Sequence, residues 1–437
     1  MEELKLVNIN EVVNEASAEN KFKFDCEINF VHLPYLPLHT TNTSKVQYKK
    51  QRWELIEQSL NEKINSSVGL EAVIKQYNKR IPNFLALHNF INEILNETER
   101  NHFFTYTLPG IIKLALQLPK LILNDIPLLK QRSSKSANFS QLQVASLLAN
   151  AFLCTFPSKS DLCPDINFAR LFSAFSRPKR EKCVSEKLKT ICHYFNRVIA
   201  KEPLGLITFK RQYFSDEELP IWETVNINIG DKKVEVRSEG LIEDDSEGFL
   251  QVDFANRNVG GGVLAYGCVQ EEIRFIICPE LIAYSGFYTQ GEEHVLGVAT
   301  GNWGCGAYRG DPRLKFLIQL MACGITKHDM IYFTFNDHNL TKNLDEMYTF
   351  IISNNITIAE LYQYLSWFSL TRLKHDLLYK FIYYIHFNKD KYTTEDLCKF
   401  TVKNFTRESC MKRVKNLCIS EQNEEHIDNL STFFTLE

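Results

Sequence analysis

Two adjacent carboxylates and three consecutive glycines are the residues whose types and spacing could do chemistry. Glu271 and Glu272 follow Gly260, Gly261 and Gly262 after a gap of eight residues. Glycine has no Cβ, so successive backbone N–H groups can turn towards one point and approach a phosphate closely. Carboxyl groups supply the proton and the charge stabilisation that glycoside hydrolysis needs. The combination indicates chemistry on a sugar that carries phosphate.

Each feature also has a simpler structural explanation. Three glycines often form only a flexible turn, and two acids are favoured at a helix start by the helix dipole. A P-loop and a Rossmann fingerprint are excluded, because no Gly-Lys-Ser/Thr follows the glycines and the G-x-G-x-x-G spacing is absent here. Adjacent acids on a helix point about 100° apart, so they cannot do identical work. Like charge should raise the pKa of one of them, but the sequence alone does not choose between Glu271 and Glu272.

The elements that must position these residues alternate between strands and helices. Residues 249–256 are predicted to form a buried strand before the glycines, and 273–277 a short helix after them. A second unit consists of a strand at 295–299, a glycine-rich loop, and a helix with Asp311 as N-cap and Pro312 as its first residue. Further β-like runs lie at 204–209, 225–229, 234–236 and 330–335. This alternation predicts an α/β layer sandwich.

The pattern before residue 200 is different. Apolar residues recur at helical spacing from 52 to 198, and Ser140 with Gln143 matches a capping box. Helices over 344–387 are expected to close the α/β part. We therefore predict an extended, partly ordered arm (1–50), a helical accessory domain (51–200), a catalytic α/β domain (201–390), and a helical, charged tail (391–437).

Composition limits the partners and the compartment. The chain has 437 residues and a net charge of −3, which argues against direct nucleic-acid binding. Its 12 cysteines include no CxxC pair, so we expect neither a zinc site nor a redox motif. Without a disulfide framework or a signal peptide, a reducing intracellular compartment is expected, nucleus or cytoplasm. The apolar window 108–123 contains Pro and Lys, which favours buried helices over a membrane span.

The stretch VDFANRNVGGGVLAYGCVQEEIRF, residues 252–275, resembles the signature of poly(ADP-ribose) glycohydrolases. Two other regions share this likeness: VATGNWGCGAYRGDPRLKFLIQ with YFTFND, and the apolar helices around LPGIIKLALQLPKLI. Together they cover roughly residues 100–370. The resemblance implies a macrodomain-like three-layer α/β sandwich with an N-terminal all-helical accessory domain. It also implies exo-acting hydrolysis of ribose–ribose O-glycosidic bonds in poly(ADP-ribose) on modified proteins, releasing ADP-ribose, without cofactor or metal and as a monomer.

The resemblance also implies roles for individual residues. Glu272 would be the general acid/base and Glu271 would hold ribose hydroxyls, while Asp253 and Asn256 would position the glutamate or the ribose. The remaining substrate-binding residues that it implies are Gly260, Gly261, Gly262, Gln270, Phe287, Asn302, Gly304, Cys305, Gly306, Ala307, Tyr308 and Phe335. The loop around residue 304 would bind the diphosphate and the distal ribose, and Phe335 would pack on adenine. Apart from the resemblance, Asp253 could simply cap the glycine loop and Phe335 could be core.

The chain departs from the family pattern at one place. Only sixteen residues, 282–297, separate PEL from VATGNWG, where the family has a longer segment with another strand. Phe287 stands where the family has a tyrosine, so stacking could survive while the hydroxyl's hydrogen bond could not. Either the macrodomain is trimmed or the sequence lacks a natural stretch, and we expect a loosened adenine pocket with weak or absent activity. The alternatives are a catalytically silent ADP-ribose reader and, less favoured, a metal-dependent nucleotide phosphoesterase.

Overall fold

The computed structural model of this chain describes residues 30–31, 33–35, 43–129, 132–157, 166–174, 178–255, 259–284, 297–371 and 373–400. Its internal contacts divide the chain into two units. The first comprises Met1–Ser215 and Ala255–Glu293, and the second comprises Asp216–Phe254 and His294–Glu437. The stretch with both glutamates therefore groups with the helical part of the chain. The domain boundaries expected from the sequence stay a prediction.

The first unit is built mainly from helices. Two strands, β1 (Lys135–Ser140) and β2 (Leu206–Arg211), form an antiparallel ribbon within it. Short π-helical turns, Phe90–Ile94 and Phe103–Thr107, follow two of the helices directly. The helices are α1 (Thr43–Leu60), α2 (Ser67–Tyr77), α3 (Leu85–Asn89), α4 (Glu97–His102), α5 (Leu108–Leu116), α6 (Leu118–Leu121), α7 (Gln141–Phe152), α8 (Ala169–Phe172), α9 (Pro178–Ala200), α10 (Gln270–Ile277) and α11 (Glu280–Tyr284).

Local signals in the sequence account for several of these helices. The predicted capping box at α7 is confirmed, because the Ser140 side chain accepts from Gln143 N–H and the Gln143 side chain accepts from Ser140 N–H. The apolar window 108–123 forms α5 and α6, with Pro109 in the first turn of α5. Burial of such apolar faces contributes about 25 cal/mol per Å². Phe152 lies at the centre of the core, with ring centroids of Phe172 and Phe195 at 5.1 and 5.7 Å.

The second unit contains a four-stranded parallel sheet in the order β3-β6-β5-β4. Its strands are β3 (Val234–Arg237), β4 (Leu250–Gln251), β5 (Gly297–Gly301) and β6 (Asp329–Phe333). Its helices are α12 (Pro312–Thr326), α13 (His338–Ser353), α14 (Ile358–Leu370), α15 (Leu378–His386) and α16 (Thr394–Cys398). The predicted α/β class is confirmed, since a parallel sheet is connected by helices.

Residues of β6 alternate between the two faces of this sheet. Met330 and Tyr332 belong to the large apolar core that α12–α15 build, whereas Ile331 and Phe333 belong to a small cluster on the other face with Ile242. This alternation is the period of two that a pleated strand imposes. The carboxyl ends of β4, β5 and β6 lie at one edge, where ligand-binding loops of parallel sheets usually occur.

Two strand predictions were wrong. Residues 249–256 were expected to form one buried strand, but only Leu250 and Gln251 pair with β5, and both remain partly exposed. Residues 225–229 form no strand either. Their carbonyls instead accept from the first turn of α14, with Ile358 N–H donating to Ile227 and Ala359 N–H donating to Val225. These carbonyls thus satisfy helix-start donors that would otherwise have no partner.

Across the described residues, we find no helix with enough length and apolar character to cross a membrane.

Candidate active site

The glutamate loop, residues 259–269, and the helix that follows it hold the paired acids. Gln270 begins α10, so Glu271 and Glu272 lie in its first turn, where the helix dipole favours negative charge. Both glutamates are nonetheless buried, with 3% and 6% of their surface exposed. The helix is anchored by Phe275, which packs in the core of the first unit. A short helix after the glycines is confirmed, but it begins at Gln270, and Ile273 and Ile277, which were expected to be buried, are exposed.

Backbone amides of the glutamate loop hold the two carboxylates in place. Gly260 N–H donates to Glu271 Oε1 at 2.7 Å, and Gly262 N–H donates to Glu272 Oε1 at 2.7 Å. The second carboxylate oxygen of Glu272, Oε2, accepts from Val269 N–H at 3.0 Å. Hydrogen bonds to a charged acceptor are stronger than neutral ones. Both acids are therefore fixed towards the glycines, although adjacent positions on a helix diverge.

The conformation of the loop requires glycine at specific positions. Gly261 has φ +49°, and a Cβ there would overlap Glu272 Oε1 and lie 2.8 Å from Glu271 Oε2. At Gly267 a Cβ would lie 2.6 Å from Glu272 Oε1. The expected use of the glycine amides for phosphate needs revision, because the amides of Gly260 and Gly262 bind carboxylates instead. Gly261 N–H donates to no atom within the described ranges, and this residue is exposed.

A buried lysine supports the same loop from α9. Lys187 is only 4% exposed, and its Nζ donates to the carbonyl oxygens of Val263 at 2.9 Å, Ala265 at 3.1 Å and Gly262 at 3.4 Å. Burial lowers the pKa of the Lys187 ammonium, while the nearby Cys183, Cys268 and Glu272 side chains act in the opposite direction. Burial also raises the pKa of the Cys183 thiol to about 11, with a hydrogen bond between Cys183 and Cys268 as a second cause.

The tryptophan loop, residues 301–311, belongs to the second unit and joins β5 to α12. Asn302 lies at its start, where its side chain donates to Thr334 O at 3.3 Å and accepts from Tyr332 O–H at 3.1 Å. Lys315 Nζ lies 4.0 Å from the centroid of the Trp303 ring, a cation–π contact. The loop therefore presents an aromatic face and a positive charge together.

The outer part of this loop is exposed to solvent. Tyr308 is 69% exposed, and Gly306 and Ala307 beside it are also exposed, whereas Gly304 and Cys305 are half-buried. Gly304 has φ +73°, a backbone conformation that favours glycine. Within the part of the chain that the structure describes, the N–H groups of Gly304, Gly306 and Ala307 donate no hydrogen bond. These exposed donors can bind an anion.

The start of α12 differs from the expected anion site. Asp311 is its N-cap, as predicted, and one carboxylate oxygen accepts from Arg313 N–H at 2.9 Å and Leu314 N–H at 3.2 Å. The side chain thus already satisfies two of the donors that a helix N-terminus would offer to a phosphate. The donors that remain accessible to an anion in this region are the loop amides and the Lys315 ammonium.

Aromatic residues meet where β4, β5 and β6 end. Phe335 follows β6 with φ +57° and is 38% exposed, and its ring contacts Phe254 edge-on at 6.4 Å between centroids. A Cβ on Gly301 would lie 3.0 Å from the Phe335 ring and 2.6 Å from Phe333 O, so this close approach requires glycine. Phe335 therefore is not a core residue. Asp253, two residues after β4, is half-buried at the start of this region.

The predicted site residues thus divide between the units. The first unit brings together Gly260, Gly261, Gly262, Gln270, Glu271 and Glu272. The second holds Asp253, Asn302, Gly304, Cys305, Gly306, Ala307, Tyr308 and Phe335. Asn256 and Phe287 lie outside the described residues. No group of three or more His, Cys, Asp or Glu that could hold a metal ion occurs among the residues described.

Three residues of the site were missed by sequence reasoning: Gly267, Lys187 and Lys315. Gly267 is a single glycine outside any motif, so the sequence gives no signal for it. It is needed because the Glu272 side chain approaches its backbone closely. Lys187 did leave a signal, because it lies between Val184, Leu188 and Ile191 on the buried face of α9. A lysine in such an apolar stripe is uncommon unless its charge is paired or hydrogen-bonded.

These features define the class of protein. It is an α/β protein with a parallel sheet, a helical region, and a buried pair of carboxylates fixed by a glycine loop. Two protein-family models match this chain. The helical domain of poly(ADP-ribose) glycohydrolase matches residues 95–211, and the macro domain fold of the same enzyme matches 219–284 and 282–342. The chain belongs to the poly(ADP-ribose) glycohydrolase family, and the predicted family and macrodomain-type fold are confirmed.

Curated relatives agree with this assignment. Poly(ADP-ribose) glycohydrolase 1 of Arabidopsis thaliana is 25% identical over an alignment of 517 positions, gaps included. The alignment covers 78% of this chain and 93% of the relative. Probable poly(ADP-ribose) glycohydrolase 2 of the same plant is 24% identical, over 65% of this chain and 81% of its own. Poly(ADP-ribose) glycohydrolase 2 of Caenorhabditis elegans is 27% identical, over 52% of this chain and 64% of its own.

The comparisons also bear on the short segment between PEL and VATGNWG. The macro domain match comes in two pieces that meet at residues 282–284, where that segment begins. The match to the first Arabidopsis relative spans 517 positions, more than the 437 residues of this chain. That relative therefore contains stretches without a counterpart here.

Proposed function

We propose that this chain hydrolyses the ribose–ribose O-glycosidic bonds of poly(ADP-ribose) and releases ADP-ribose, with Glu272 as general acid/base. The observation that carries the proposal is the buried carboxylate pair, whose oxygens are fixed by the amides of Gly260, Gly262 and Val269. A catalytic carboxyl must be held in a defined position, since small displacements of reacting groups cost large factors in rate. Membership of the glycohydrolase family supplies the substrate class.

In the proposed reaction the bond between the anomeric carbon of one ribose and the oxygen of the next is broken. The Glu272 carboxyl gives its proton to the leaving oxygen as the bond to the anomeric carbon lengthens. Water then adds to the anomeric carbon, and its proton returns to the Glu272 carboxylate, so the residue is regenerated. Negative charge on Glu271 beside it would stabilise the oxocarbenium-like sugar.

The other residues are assigned substrate-binding roles. Glu271 is proposed to hold ribose hydroxyls, and Asp253 and Asn256 to position the glutamate or the ribose. The tryptophan loop is proposed to bind the diphosphate, supported by its exposed amides and by Lys315, and Phe335 to stack on adenine with its exposed ring. The remaining proposed contacts are Gly260, Gly261, Gly262, Gln270 and Phe287.

We propose further that the protein acts as a monomer, without cofactor or direct nucleic-acid binding. The net charge of −3 supports the last point, because a surface that coats a polyanion is normally basic. A polyanionic substrate is then recognised locally, through backbone amides and Lys315. A gel-shift titration with DNA and RNA at low salt should show no complex at micromolar protein.

Labelled poly(ADP-ribose) on a modified protein tests the activity directly. The purified chain should release free ADP-ribose at the same rate with and without EDTA. Release of inorganic phosphate that stops with EDTA would support the metal-dependent phosphoesterase instead. Binding of ADP-ribose without any release, even at enzyme concentrations equal to those of the polymer, would support a reader.

A second candidate is a weak or silent ADP-ribose-binding protein of the same fold. The short segment at 282–297 favours it, because the family resemblance implies a longer segment there and because Phe287 lacks the hydroxyl of the family's tyrosine. In this case turnover is weak or absent, although the glutamate pair is intact. Full polymer turnover together with a cooperative melt that added ADP-ribose raises would rule it out.

A further inference from the structure

We propose that Lys187 is a positioning residue for Glu272: its ammonium holds the glutamate loop in the shape that presents the carboxylate. The inference rests on the proposed function of Glu272. Lys187 lies on α9, about seventy residues before the loop it contacts. Its ammonium contacts backbone carbonyls of the loop and is assigned no contact with the reacting atoms, so it acts through the loop backbone.

The contacts of Lys187 are unusually complete for a lysine. Its Nζ donates to the carbonyl oxygens of Gly262, Val263 and Ala265, which matches the three donors of an ammonium group. All three acceptors belong to one turn of the glutamate loop, in which Ala265 N–H also donates to Gly262 O at 2.9 Å. The lysine thereby fixes the orientation of the three carbonyl groups in this turn.

A backbone amide of the same turn also fixes the Glu272 carboxylate. Gly262 N–H donates to Glu272 Oε1, and Gly262 O accepts from Lys187. A rotation of the backbone at Gly262 would therefore disturb both bonds together. The Glu272 carboxylate is also close enough to the ammonium for its charge to favour the protonated form of Lys187. The two groups are linked by backbone geometry and by electrostatics.

A purely packing role would not require a charge here. Neighbouring positions on the same face, Val184, Leu188 and Ile191, are apolar and buried. Removing a charged group from water is costly unless hydrogen bonds and opposite charge compensate for it. A methionine of similar length could fill the space without that cost. The charge and the three N–H donors of Lys187 are therefore explained by the hydrogen bonds that hold the glutamate loop in place.

Two substitutions test the proposal. Lys187→Met removes the charge and the donors, and Lys187→Gln removes the charge but keeps an amide that can donate to two carbonyls. We expect Lys187→Met to lower kcat on poly(ADP-ribose) by at least about 10-fold, with the Kd for ADP-ribose changed less than about 3-fold. Lys187→Gln should lie between Lys187→Met and the wild type. The matched control is Lys189→Met on the same helix, which lies exposed beside Glu186 and should leave both quantities unchanged.

A double-mutant cycle separates positioning from a merely structural role. The fall in Tm caused by Lys187→Met should be smaller in a Glu272→Gln background, because the neutral amide no longer depends on the ammonium. An equal fall in both backgrounds, or an unchanged kcat, would overturn the proposal. If both Lys187 variants fail to fold, the role is structural and the proposal is likewise overturned. An inactive wild type would contradict the proposed function instead, while the cycle would still measure the coupling.

Discussion

The glutamate loop and the tryptophan loop are both rich in glycine, yet their glycines serve different purposes. In the glutamate loop, Gly261 and Gly267 let the Glu272 carboxylate approach the backbone more closely than any Cβ allows. In the tryptophan loop, Gly301 and Gly310 pack closely against backbone oxygens, but at the outer position Gly306 a Cβ would meet no atom within 4 Å. The glutamate loop is closed around the two carboxylates that α10 brings to it, whereas the outer part of the tryptophan loop is exposed to solvent.

We propose that this difference reflects separate roles, catalysis for the glutamate loop and ligand binding for the tryptophan loop. A catalytic carboxyl needs fixed neighbours, because the reacting groups must already be in place when substrate arrives. A binding loop needs accessible donors and faces, and here Trp303, Tyr308 and the exposed amides provide them. We therefore expect substitutions that displace the carboxylates to lower kcat, and loss of an aromatic face or of the positive charge at the tryptophan loop to raise the Kd for ADP-ribose.

Among the substitutions that compare the two loops, the largest effect is expected from Gly261→Ala. The new Cβ would overlap Glu272 Oε1, and φ +49° is strained for alanine. Both carboxylates would have to move, and displacement by about 1 Å can cost about 100-fold in rate. We expect a fall of this size in kcat, measured with labelled polymer.

Gly306→Ala is the matched control in the other loop. Its Cβ would enter open space, so kcat and the Kd for ADP-ribose should each change by less than about 2-fold. Equal effects of the two glycine substitutions would remove the contrast between the loops.

A moderate effect is expected from Lys315→Met. The ammonium lies 4.0 Å from the centre of the Trp303 ring, and contacts of this kind contribute about 1 kcal/mol. Loss of this contact and of the positive charge should raise the Kd for ADP-ribose about 5-fold and leave kcat at saturating polymer nearly unchanged. Calorimetric titration measures the first quantity, with exposed Lys342→Met as control. A fall in kcat without a change in Kd would show that the tryptophan loop contributes to catalysis and not to ADP-ribose binding.

The smallest effect concerns a third acid, Glu280, which begins α11. Burial raises the pKa of the Glu280 carboxyl. A folded pKa above the unfolded one means that stability from this group is present below the unfolded pKa, about 4.3, and is lost as pH rises through the folded pKa. Glu280→Gln should therefore raise Tm at about pH 8 and change it little near pH 4.

The control for this measurement is Glu395→Gln, whose carboxylate is exposed. Calorimetric melts of both variants at the two pH values give the comparison. A strong loss of polymer hydrolysis in Glu280→Gln would show instead that this acid shares the work of the pair.

Local signals in the sequence predicted part of this structure well. Asp311 with Pro312 and Ser140 with Gln143 identify helix starts, because capping depends on residues within one turn. The triple glycine and the paired acids were likewise found from spacing alone. The family resemblance then added the choice of Glu272 as acid/base, which stays a prediction.

Features that depend on contacts distant in sequence could not be predicted in this way. The run at 225–229 has strand-like residues, but its carbonyls cap α14, which lies about 130 residues later. The glycine amides looked suited to phosphate, yet two of them bind carboxylates that α10 brings back to the loop. Lys187 reaches the loop only through the packing of α9. In each case tertiary contacts determine which partner a local pattern finds.

The central claim is that the buried carboxylate of Glu272 does the chemistry, whereas binding of ADP-ribose depends on other groups. Comparison of Glu272→Gln with wild type tests it, using polymer turnover and ADP-ribose titration on the same preparations. The amide keeps the size of the side chain and cannot transfer a proton, so kcat should fall by at least about 1,000-fold while Kd changes less than about 3-fold. Turnover near the wild-type level, or a loss of binding as large as the loss of turnover, would contradict the claim.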